Sequence, residues 1–102
     1  MSRFAQHTKL ISKKGNADKL VAKFIEAADL QRDNESCELM LVGKSEADED
    51  VVYVTEVWSS ESAWKEARRS KTVTAWAKDM PALVAEWPPS TRITGIGGKG
   101  IK

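Results

Sequence analysis

The run Val51-Val52-Tyr53-Val54-Thr55-Glu56-Val57-Trp58 constrains this chain more than any other stretch. All of it except Glu56 is β-branched or aromatic, the composition of a strand buried on both faces. Alternation places Val51, Tyr53 and Val57 on one face and Val52, Val54 and Trp58 on the other. After Ser59-Ser60 the apolar spacing changes from two to 3.6 residues, so the strand feeds directly into a helix at Glu61-Ser62-Ala63-Trp64. A chain with such a strand must cover both sides of it.

The remaining segments supply cover for one side. Arg3 to Ser12 reads as a strand, with Gln6, His7 and Lys9 making its alternation imperfect. Gly15 turns the chain, and Asn16 is placed to cap a helix whose apolar face is Leu20, Val21, Phe24, Ile25 and Ala28, running to about Leu30. Ser36 to Lys44 is a second strand, with Cys37, Leu39 and Leu41 on one face and Glu38, Met40 and Val42 on the other. The acidic stretch Ser45 to Asp50 is short enough to join it to the central strand as a hairpin. The second helix carries Ala63, Trp64 and Ala67, then Val73, Trp76, Ala77 and Met80. A bend is expected near Ser70, because Thr72-Val73-Thr74 are poor helix formers. Pro81 stops or restarts the helix, and Leu83, Val84 and Trp87 keep helical spacing for one more turn. Pro88-Pro89 ends it, Ser90 to Ile96 forms the last strand, and Gly97-Gly98-Lys99-Gly100 begins a flexible tail.

The resulting order is β-α-β-β-α-β. This is a ferredoxin-like α+β fold, a four-stranded antiparallel sheet with two helices on one face. One domain is expected over residues 1–102, with its core at about 4–96 and the tail at 97–102. The second apolar face of the sheet then calls for a partner, and a homodimer packed sheet to sheet is the economical one.

Composition excludes several classes. A net charge of +1 gives no electrostatic preference for nucleic acid or an anionic membrane. No apolar run approaches the roughly 20 residues of a membrane helix, and the N-terminus lacks the apolar core of a signal peptide, so a cytoplasmic protein is expected. One Cys and one His exclude an internal disulfide and a Cys/His zinc cluster; no metal site is expected.

The segment Val54 to Ala63 resembles the "E-x-W-x-s-x-e-a" signature of the antibiotic biosynthesis monooxygenase (ABM) domain, with Glu56, Trp58 and Ala63 carrying the match. The element order extends the resemblance from about Ala5 to Ile96. It implies a dimeric α/β barrel that oxygenates quinols, anthrones or related aromatics with molecular oxygen and no cofactor, neither metal nor flavin. Many members carry a His in the second helix, four residues after the motif alanine; here that place is Ala67. Relatives that degrade haem use an Asn, a Trp and a His at the places held here by Thr8, Ala67 and Ala77, so haem degradation is not implied. The alternative to an oxygenase is a non-catalytic dimer that binds a small apolar ligand or serves as a structural module.

Candidate site residues follow. His7 is the single histidine and the candidate proton acceptor, set against a plain surface or interface role. Met40, Trp58, Trp64, Trp76 and Met80 are candidates to wall a pocket for a planar ligand, set against ordinary core packing. Trp64 and Trp76 lie a little over three helical turns apart and share a face only roughly. Glu56 in an apolar strand needs a cationic or hydrogen-bonding partner, and a structural ion pair with Arg92, Arg3 or a group of the other subunit is expected, set against a catalytic base. Arg68-Arg69 can clamp an anionic substrate or belong to a solvated helix face, and Cys37 reads as a small core residue.

Overall fold

The computed structural model describes residues 2–100. Its elements are β1 (Arg3–Ser12), α1 (Ala17–Leu30), β2 (Cys37–Lys44), β3 (Val51–Trp58), α2 (Glu61–Arg69), α3 (Lys71–Ala77), a 3₁₀ turn (Met80–Ala82), β4 (Val84–Glu86) and β5 (Thr91–Gly95). The sheet runs β2-β3-β1-β4, with β5 also on β1, and all its pairings are antiparallel. The ferredoxin-like α+β order is present, and β3 is interior as its composition requires.

Three expectations are corrected. Val84 to Glu86 is not a last helical turn but a short strand, pairing with Ile11 and Ser12 at one end of β1. β5 pairs with Arg3 to His7 at the other end. Together β4 and β5 make one interrupted edge, because Pro88 and Pro89 have no N–H to donate to a ladder. The sheet therefore has five strands among the described residues rather than four. Second, Asn16 precedes α1 without a side-chain cap; its amide donates to the Lys14 carbonyl instead (3.4 Å). Third, Ile25 is 47% exposed rather than part of the apolar face of α1. The tail expected at 97–102 lies in part, at 101 and 102, outside the described residues.

The inner face of the sheet divides into two halves. At one end Leu10, Val52 and Val54 pack against Leu20 and Phe24 of α1 and against Met80, forming the closed core. At the other end the same face carries Gln6, Glu56 and Trp58 beneath α2 and α3. Neither of those helices has a buried residue, whereas α1 has three. Their inner sides thus line a space instead of filling it.

Ser60 starts α2 by accepting a hydrogen bond from Ala63 N (3.1 Å), and Ser70 repeats the device for α3 with Val73 N (3.2 Å). Ser70 is extended (φ −62°, ψ 149°), which produces the expected bend and re-aims α3. Ser60→Ala is expected to lower the unfolding free energy in urea by about 1 kcal/mol, since an orphan amide loses its acceptor.

Candidate functional site

Cross-strand register builds the floor of the site. Gln6 lies between Arg92 on β5 and Glu56 on β3, and Glu56 is next to Met40 on β2. This row, Arg92-Gln6-Glu56-Met40, shares the inner face because paired residues in an antiparallel ladder point the same way. Phe4, Trp58 and Cys37 form the row on one side of it, and Thr8, Val54 and Val42 the row on the other.

Above the floor is a cavity of about 610 Å³. Trp58, Trp64, Trp76 and Trp87 all line it, together with Phe24 and Met40. Trp76 is fixed by a hydrogen bond from Nε1 to the Lys23 carbonyl of α1 (2.7 Å) and by an edge contact with Phe24 at 5.2 Å. Trp64 leans on Phe4 at 4.8 Å. The gap between β4 and β5 contributes Trp87, Pro89 and Ser90, and the Ser90 hydroxyl shares a 2.7 Å hydrogen bond with that of Thr8. Such a space, apolar with a few convergent polar groups, is the usual form of a small-molecule site.

Glu56 is the carboxylate of this cavity, and it is buried. Its Oε2 accepts from Gln6 Nε2 (3.0 Å) and its Oε1 from Trp58 Nε1 (2.7 Å). Donors on both oxygens match the ionised form. Among the described residues of the chain, neither Arg3 nor Arg92 makes the expected ion pair. Arg3 is an odd-numbered residue of β1, points to the other face and pairs with Glu38 at 3.2 Å. Arg92 pairs with Glu61 at 2.8 Å, and its guanidinium lies over Phe4 and Trp64. Neutral donors, not a cation, hold Glu56.

The structure brings Met40, Trp58, Trp64 and Trp76 together around the cavity. Trp64 and Trp76 meet there because the break at Ser70 turns α3. Met80 instead lies in the closed core, 3% exposed. His7 does not line the cavity. It is exposed on the outer face of the sheet, shares a 2.8 Å hydrogen bond with the Thr55 hydroxyl and stacks on Tyr53 at 5.2 Å. Glu38 is also on the outer face, because a bulge between Cys37 and Leu39 shifts the register of β2 by one residue. Cys37 consequently shares the inner face with Trp58.

Cys37 is half-buried, and burial, with the negative charge of Glu56 added, raises its thiol above the ordinary value. Less thiolate is then present at any given pH, so alkylation by iodoacetamide at pH 8 is expected to be slower than that of free cysteine. Mass spectrometry of timed samples measures it.

Gln6, Thr8 and Trp87 are site residues that sequence reasoning passed over. Gln6 looked like a fault in the alternation of β1, and Thr8 like an ordinary strand former. Numbered by parity with Phe4 and Leu10, they are polar residues on the buried face, which is the informative pattern. Thr8, Ala67 and Ala77 all line the cavity. Among the described residues no three His, Cys, Asp or Glu side chains come together as metal ligands, and no helix is long and apolar enough to cross a membrane.

Solved structures similar to this fold span nearly the whole chain. A protein of Chloroflexus aurantiacus provisionally named an antibiotic biosynthesis monooxygenase is 24% identical, with a TM-score of 0.87 over 98% of this chain and 99% of its own. One of Caulobacter crescentus with the same provisional name is 18% identical, with a TM-score of 0.85 over 94% and 92%. Rv0793 of Mycobacterium tuberculosis is 16% identical, with a TM-score of 0.81 over 95% and 98%. No curated protein matches this chain. The family model of the antibiotic biosynthesis monooxygenases matches residues 3–79, and on that match, with this fold beneath it, the chain belongs to the antibiotic biosynthesis monooxygenase family.

Proposed function

We propose that this protein is a cofactor-independent monooxygenase of a planar, electron-rich hydroxylated aromatic of the quinol or anthrone type. The observation that carries the reading is a buried carboxylate, Glu56, on the floor of a cavity walled by four tryptophans. In this reading Glu56 accepts the proton of the substrate. The resulting anion passes one electron to molecular oxygen, and the carbon radical and superoxide combine as a peroxide. Cleavage of its O–O bond leaves one oxygen atom on the ring carbon as a carbonyl and releases the other as water, whose two protons are the one Glu56 accepted and the hydrogen remaining on that carbon. The aromatic walls keep water from the anion.

The protein acts in this reading as a cytoplasmic homodimer. Leu39, Leu41 and Ile93 are exposed on the outer sheet face at 43%, 63% and 46%, and a second copy laid on that face would bury them. A specific observation also favours a second reading, a dimer that binds an aromatic ligand without turnover: Ala67 lines the cavity where many relatives have a His, and His7 is on the other face. An oxygen electrode with a panel of quinols and anthrones separates them. Uptake above the buffer rate is expected; binding with no uptake across the panel would replace the first reading by the second.

A further inference from the structure

The rim of the cavity carries a charge that the proposed chemistry does not use. Arg68 lines the cavity, and its guanidinium lies 4.9 Å over the ring of Trp64. Among the described residues it makes no ion pair. The neighbouring cations differ: Arg92 and Lys65 both bond Glu61, at 2.8 and 3.1 Å, and together hold its carboxyl below the usual range. Glu66 does not line this cavity but the adjoining groove that shares Ala67 with it. Of the two cations that line the cavity, Arg92 is thus paired and Arg68 is left without a carboxylate among the described residues. At the floor, Glu56 presents the opposite charge, with one donor on each oxygen, Gln6 and Trp58, and lone pairs left to accept another.

We propose that the cavity takes an aromatic ligand that carries a carboxylate, with Arg68 holding the acid at the rim and the hydroxyl end directed to Glu56. This rests on the cavity being the ligand site and narrows what enters it. A planar guanidinium stacked on an indole is already ordered, so its fork meets a carboxylate with little further loss of freedom. An acid entering the other way round would bring its charge to that of Glu56, so the charge distribution selects one orientation.

The test uses 6-hydroxy-2-naphthoic acid and its methyl ester, which share one ring system and differ in charge. Their dissociation constants are read by quenching of the tryptophan fluorescence. The acid is expected to bind about tenfold more tightly than the ester at low salt, and the preference shrinks as ionic strength rises. Arg68→Gln removes the preference and Arg68→Lys keeps part of it, with circular dichroism checking the fold of each. An ester that binds the wild-type protein as tightly as the acid overturns the inference and leaves the cavity reading standing; this comparison needs no variant. Failure of both compounds to bind overturns the two together. A preference that survives in Arg68→Gln removes Arg68 from the proposal.

Discussion

Glu56→Gln is expected to lower oxygen uptake at least about a hundredfold, the lower end of what a positioned proton acceptor contributes. The substitution keeps the size and shape of the side chain and removes its ability to take a proton. It also disturbs the network. Gln6 Nε2 and Trp58 Nε1 both donate to the carboxylate. An amide has one acceptor oxygen for the two of them and turns its own N–H₂ toward one. That donor loses its partner in a buried place, at a cost of about 1–3 kcal/mol. Uptake and the thermal midpoint are therefore measured together, with ligand quenching as the record that the cavity persists. A folded Glu56→Gln protein that binds aromatic ligand and takes up oxygen at the wild-type rate would remove Glu56 as the proton acceptor. It would also return the carboxylate to a purely structural part, tying β1 to β3.

Leu41→Asp is expected to convert a dimer into a monomer. Light scattering of the wild-type protein should give twice the chain mass of 11.3 kDa, and the variant that mass once. In the single chain Leu41 is mostly in water, so an aspartate there leaves the inner core, with Leu10, Leu20, Val52 and Val54 almost fully buried, untouched. In a two-fold interface the change occurs on both copies, each burying a carboxylate with no cation supplied for it. The cost per unpaired buried charge is several kcal/mol, enough to dissolve a contact held by apolar area. A wild-type protein that scatters as a monomer sinks the dimer. It would leave the apolar outer face, Leu39, Leu41, Val57 and Ile93, without an account.

How far the site was legible is best seen at particular residues. Trp58, Trp64, Trp76 and Met40 were found because large side chains near one strand and the helix after it have few places to go in this topology. Met80 was mistaken for a member of the same wall. It follows α3 by only a few residues, but the 3₁₀ turn at Met80–Ala82 folds it into the core against Leu20. His7 attracted notice for its chemistry, yet parity along β1 settles its face: Gln6 and Thr8 point in, so His7 points out. Arg3 failed as the partner of Glu56 for the same reason. Gln6 was missed because a neutral amide offers no charge to search for.

The amino-acid sequence by itself determined the element order as far as the second helix, the interior position of β3, the break at Ser70 and the family signature at Glu56, Trp58 and Ala63. All of these are local, set by the period of the apolar residues, the caps and the proline positions, and they need no knowledge of what lies across the sheet. Only the tertiary structure decided what holds Glu56, where Arg68 and Arg92 send their charges, and that four tryptophans from β3, α2, α3 and the loop after β4 surround one space. Those outcomes depend on register between strands far apart in the chain. A single bulge at Cys37–Leu39 or the two missing N–H groups of Pro88 and Pro89 change which side chains face one another, by amounts that composition cannot record.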